Sequence, residues 1–170
     1  MRNHSKRRGN ATIEMTLVGI PLVFVLISTF EMARGMWIYH TLAYAIKEGT
    51  RFTIVHGQDC GIAPNNCLVT VGQIAAVIQN AGVGLDPEQL KVEMRSMNPA
   101  DDTGLQTVKD LAGRADIFPT GAGAQIRSPI TFTTQYPFQS AISMFWPGAG
   151  PGTGFMTVTF PASSRENMQF

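Results

Sequence analysis

Residues 15–30 form a run without a single charged side chain. Four bases, Arg2, Lys6, Arg7 and Arg8, come before it with no acid among them, and Glu14 sits at its edge. The run alone falls short of the roughly 20 residues that cross a bilayer. Counting from Ala11 supplies the length and takes in Glu14. Insertion scales put an acid at the centre of a span at roughly 2.5–3.5 kcal/mol, with less near an end, so Glu14 needs a reason to be there. Glu31 and Arg34 mark the exit, and Trp37 and Tyr39 follow as aromatic residues do at an interface. The bases ahead of the span orient it with the N-terminus in and the C-terminus out.

Helical character runs on beyond the span. Phe30, Met32, Ala33, Met36, Trp37, Leu42, Ala43, Ala45 and Ile46 are apolar, with few breakers between them. The expectation is one helix over about 12–51, its first half in lipid, ended by Gly49 or Gly57. Pro21 removes a backbone donor and is expected to kink or locally melt the helix, with Gly19 adding to the effect. A secretory signal peptide has the same basic start and apolar stretch. Here, however, no A-x-A-like site follows and the helical pattern does not break. An uncleaved signal anchor is the plain alternative.

At 170 residues the chain has room for an anchor and one modest domain. A net charge of +1 offers no field for nucleic acid. Cys60 and Cys67 lie beyond the span. On an oxidising outer side a disulfide between them is expected, worth roughly 2.5 kcal/mol for so short a loop; on a cytosolic side they would be free thiols. Their spacing does not suit zinc, since His56 is the only imidazole nearby.

Residues 68–81 place Val71, Ile74, Ala75, Val77 and Ile78 close to helical spacing, and Gly82 and Gly84 end that helix. Asp86-Pro87-Glu88 is a turn or a short helical start. Leu90, Val92 and Met94 alternate with Lys91, Glu93 and Arg95 as a half-buried strand. Residues 98–104 read as a polar loop, whose Asp101-Asp102 pair lacks the oxygen spacing of a calcium loop. Residues 108–117 are ambiguous, and 119–124 are a glycine-rich flexible loop with no phosphate-binding lysine after it. Ile130, Phe132, Thr134 and Tyr136 alternate as a second strand. Residues 138–145 read as a short helix after Pro137, 146–152 as a long turn and 155–160 as the last strand. These elements make an α+β fold, a long N-terminal helix packed on a small antiparallel sheet. Phe138, Met144, Phe145 and Trp146 either close its core or form a subunit contact. His4, His40 and His56 are the only imidazoles, none with a nucleophile and an orienting group beside it. No catalytic residue, metal, cofactor or small-molecule substrate is therefore expected.

Gly9-Asn10-Ala11-Thr12-Ile13-Glu14 resembles the processing site of type IV pilin-like proteins. Residues 9–51 resemble the TadE-like minor pseudopilins of tight-adherence (Tad/Flp) pilus systems. The matching points are the glycine, the glutamate, the early Pro21, Phe30-Glu31, and Ala45-Ile46-Lys47-Glu48-Gly49-Thr50-Arg51, similar to an alanine-rich segment ending in E-G-x-R. The strand ending in Tyr136-Pro137-Phe138 and the closing segment from Met156 to Glu166 are similar to the family's later strands. Asn10 and Met15 depart from its usual more apolar first and sixth residues.

The resemblance implies cleavage after Gly9 by a prepilin peptidase, with Asn10 first and Glu14 fifth in the mature chain. It divides the chain into a basic leader (1–9), a long helix with a transmembrane first half (10–51) and a periplasmic α+β domain (52–170), a pilin-like layout. It also implies a single pass through a bacterial inner membrane, N-terminus cytoplasmic, with incorporation in the pilus as a further step. The partners implied are membrane lipid, other pilins and pseudopilins, and the Tad inner-membrane assembly proteins, for a role in pilus initiation or assembly through helix packing. Cleavage would free an ammonium on Asn10. One subunit's Glu14 could then pair with a neighbour's Asn10 amine inside lipid, which offsets the acid's burial and fixes axial register. A glutamate that snorkels to the interface is the plain alternative.

Overall fold

The chain begins with one helix, α1 (Lys6–Ile54), which runs through Pro21 without interruption. The structure, a computed structural model, describes residues 6–56, 67, 69–141 and 157–169. The helix starts ahead of residue 12 and ends past residue 51, and the local melting expected at Pro21 is not found. The reason lies in proline itself: its ring removes one donor but holds φ near the helical value. Gly49 lies inside α1 and does not end it, while Gly57 is outside the described residues.

Two compact units make up the chain. One comprises Met1–Met36 with Ser140–Met156, the other Trp37–Gln139 with Thr157–Phe170. In the first, α1 presents apolar side chains such as Ile13, Leu17, Leu22 and Phe24 to the outside.

In the second unit the end of α1 meets α2 (Val71–Ala81), and Thr70 starts that helix with a capping box. The Thr70 hydroxyl accepts from the Gln73 amide at 3.2 Å and the Gln73 side chain accepts from the Thr70 amide at 3.0 Å. Gly82 closes α2 as expected, its amide donating to the Ile78 carbonyl at 2.9 Å. Leu42, Ala45 and Ile46 of α1 and Val71, Ile74, Ala75 and Ile78 of α2 are buried in one core. The two helices approach so closely that a Cβ at Gly49 would overlap the Ile78 side chain.

The sheet consists of β1 (Lys91–Arg95), β2 (Gln106–Thr107), β3 (Pro129–Gln139) and β4 (Thr157–Asn167), all antiparallel in the order β2-β1-β3-β4. Val92 and Met94 of β1 lie opposite Thr134 and Phe132 of β3, with Ile130, Tyr136 and Phe138 on the same buried face. The hydroxyls on that face are bonded: Thr134 Oγ1 donates to the Lys91 carbonyl at 2.8 Å, and the Tyr136 hydroxyl accepts from the Asp86 amide at 3.3 Å. The ambiguous stretch 108–117 resolves into α3 (Val108–Ala112), capped by Thr107, and a bridge from Ile117 to Thr70.

Two expected boundaries are corrected. β3 continues through Pro137 to Gln139 where a short helix was expected, and β4 continues through Pro161 to Asn167 instead of ending at residue 160. Proline is tolerated where no neighbour needs its missing donor. β1 pairs with β3 only as far as Gln135, and β4 is an edge strand among the described residues. Phe155, Met144, Phe145, Trp146 and the 146–152 turn lie outside the described residues, while Phe138 is buried.

The glycine-rich loop is not the flexible connection its composition suggests. Gly121–Ala124 forms a 3-10 turn, and a Cβ at Gly123 would overlap Ser96. Buried Asp101 holds this turn to the polar loop: its carboxylate accepts from the Thr120 amide at 2.9 Å and from the hydroxyls of Thr120 and Ser96.

Candidate functional site

The expected processing site lies in the first turns of α1, where the Gly9–Asn10 peptide bond is part of the helix. Glu14 stands one turn beyond Asn10 on the exposed helix surface. From Ala11 the helix is long and apolar enough to cross a membrane. Its most apolar window has a mean hydropathy of 2.1 and buries none of its residues within the protein. A helix that is apolar all round and leaves its apolar window unburied fits a lipid environment better than an aqueous one.

The polar side chains inside this stretch support that reading. Thr16 Oγ1 lies 2.9 Å from the Ile13 carbonyl and 3.1 Å from that of Thr12, Ser28 Oγ bonds the Phe24 carbonyl at 2.8 Å, and Thr29 Oγ1 bonds the Val25 carbonyl at 2.8 Å. Each hydroxyl spends its hydrogen on the preceding turn, so none faces hydrocarbon with an unmet donor. On the same stretch Leu22, Val25, Leu26, Thr29, Phe30 and Ala33 line a shallow, almost wholly apolar groove of about 420 Å³.

One residue here has a role that sequence reading missed. Glu31, taken as a marker of the span's exit, is half buried, and its carboxylate accepts from the Ala141 amide at 3.1 Å. The partner is 110 positions away, which hides it from any local pattern. The available signal was physical: an acid directly after an uncharged run needs a donor.

The remaining candidates fall elsewhere. Cys67 is disulfide-bonded; its expected partner Cys60 lies outside the described residues. Cys67 lines a cavity of about 440 Å³ with Phe52, His56, Val69, Gln73, Ala76 and Val77. His56 lies over the Phe52 ring at 4.4 Å, with its Nδ1 2.5 Å from the Phe52 carbonyl. His40 is exposed and meets Tyr39 edge-on, and His4 is outside the described residues. Neither described imidazole has a nucleophile placed against it among the described hydrogen bonds. Among the described residues no group of three or more His, Cys, Asp or Glu side chains is arranged to hold a metal ion. The structure thus brings the expected processing residues Gly9, Asn10 and Glu14 onto one helix end and leaves Cys67 in the other unit.

Residues 9–51 match the family described as TadE-like protein. The match covers the apolar stretch and most of the helix beyond it, so this part of the chain is similar to that family. No curated protein and no solved structure matches the chain.

Proposed function

We propose that this TadE-like chain is a minor pseudopilin of a tight-adherence pilus system, cleaved after Gly9 by a prepilin peptidase and active in pilus initiation or assembly through helix packing. The observation that carries this reading is the Gly9-to-Glu14 motif at the start of a long apolar helix whose most apolar window buries none of its residues. The leader (1–9) leaves on cleavage, the helix (10–51) spans the inner membrane with its N-terminus cytoplasmic, and the domain (52–170) folds in the periplasm. That oxidising compartment suits a Cys60–Cys67 disulfide.

Glu14 carries the assembly step. Once the basic leader is gone, the new Asn10 ammonium of one subunit and the Glu14 carboxylate of a neighbour can neutralise each other in lipid. A carboxylate left alone there is costly, so the pairing favours one axial offset between helices. Neighbouring pilins and the Tad inner-membrane proteins supply the surfaces on which this takes place.

The test is the intact mass of the chain from native membranes, with and without the peptidase. A mature chain beginning at Asn10, seen only with the enzyme, is the expected result. A full-length chain under both conditions would instead support an uncleaved, single-pass anchored scaffold or binding domain. Glu14→Gln separates processing from assembly: it is expected to be cleaved normally and to enter assemblies poorly. Normal incorporation of that variant would remove Glu14 from the mechanism.

A further inference from the structure

The part of α1 that belongs to the second unit has two opposite faces. Leu42, Ala45, Ile46, Gly49 and Thr53 are buried against α2 and the sheet. On the other side Trp37, His40, Tyr44, Lys47 and Arg51 are all exposed, Trp37 to 64% and Tyr44 to 57%. Their intervals alternate between three and four residues, the spacing that keeps one straight seam on a helix. Two large aromatic side chains left uncovered one heptad apart are not what a solvated face requires, and Trp and Tyr are the residues that anchor interfaces.

We propose that this seam docks a helix of a different membrane-anchored chain, running parallel to α1, with apolar side chains against Trp37 and Tyr44 and carboxylates against Lys47 and Arg51. The inference rests on the anchored-pseudopilin reading above, because the shared span is what makes neighbouring helices run parallel.

Three occupants compete, and position and charge choose between them. Lipid headgroups suit Trp37. Tyr44, Lys47 and Arg51, however, lie about 10, 15 and 21 Å further along the helix axis, so an interface that takes the tryptophan leaves the bases beyond it. A second copy in parallel register would set Lys47 against Lys47 and Arg51 against Arg51, a like-charge pairing that coiled coils use to reject partners. A helix with acids at those two levels meets no such penalty. Lys47 makes no ion pair among the described residues. Arg51 reaches only Glu48 on its own helix, at 3.4 Å with the arginine side chain 56% exposed, which leaves its fork largely open to a second carboxylate.

The experiment places a photo-reactive phenylalanine analogue at Tyr44, and separately at Lys47, in the full chain in its own cell membranes. The cross-linked peptides are then sequenced by mass spectrometry. The expected adduct is with a helical segment of a different chain that carries Asp or Glu at a seven-residue interval. With the reactive group at Tyr44, the double variant Lys47→Glu, Arg51→Glu should lower the yield roughly tenfold, the effect of about 1.4 kcal/mol, while Lys47→Arg keeps it. An adduct with a second copy, an adduct with phospholipid, or no adduct from a chain that still fractionates with membranes would each overturn the docking face and leave the anchor intact. Loss of the chain from the membrane fraction would overturn the anchor reading itself.

Discussion

Residues 11–30 and residues 37–54 of α1 are both rich in apolar side chains, yet only the second stretch buries any of them fully. In the first, apolar residues surround the helix and the few hydroxyls turn back onto its own carbonyls. In the second, burial repeats every three to four residues and the glycine that lets α2 approach falls on the buried side. The same secondary structure thus answers two different solvents. What distinguishes them is whether apolar residues occupy one side of the helix or every side, and this can be tested by making matched changes in the two stretches.

The largest contrast is between two isoleucines. Ile46→Ala removes a side chain only 2% exposed and should cost about 2–5 kcal/mol in denaturant unfolding of the detergent-solubilised chain. Ile20→Ala removes the same atoms from a side chain 57% exposed and should stay within about 0.5 kcal/mol. Equal losses would mean that residues 11–30 pack on protein after all. A finer contrast uses glycine. A Cβ at Gly49 would overlap Ile78, whereas one at Gly19 has nothing within 4 Å. Gly49→Ala should therefore destabilise by about 1–3 kcal/mol through overpacking. Gly19→Ala should be neutral or stiffen the helix by up to about 1 kcal/mol. If Gly49→Ala is harmless, the close approach of α1 and α2 does not hold the unit together.

The smallest effect belongs to surface charge. The hydrogen bond from Lys109 to Glu88, with the attraction of the same carboxylate, holds the lysine pKa above its ordinary value. A pKa raised by folding contributes stability below the unfolded value and loses it as pH rises through the folded one. The pair is thus formed at neutral pH and lost only in strong alkali. It is fully exposed, and exposed pairs contribute little. Lys109→Ala should leave the melting temperature at pH 7 unchanged within error. A drop of several degrees would show that the second unit depends on its surface charges as well as on its packed core.

The features legible in the sequence were those set by neighbours along the chain. The uncharged run, the periodicity of α2 with its closing Gly82, and the alternation in β1 and β3 are all local patterns. The misread features depended on partners far away. The strands run past residues 137 and 160 because β1 stops at Gln135 and, among the described residues, β4 lies at an edge, so neither Pro137 nor Pro161 withholds a needed donor. The stretch 119–124 looks flexible until Asp101, distant in sequence, ties Thr120 down. Glu31 looks like a boundary marker until Ala141, 110 positions later, supplies a donor. Periodicity reports which face of an element is apolar, but not which later segment will meet it.

The back-bonded hydroxyls of Thr16, Ser28 and Thr29 have a kinetic consequence. With their hydrogens already committed, these side chains offer a neighbouring helix no spare donor. In the proposed assembly, then, helices can search one another's register without polar cross-links along the shaft, and the choice of stopping point falls to Glu14.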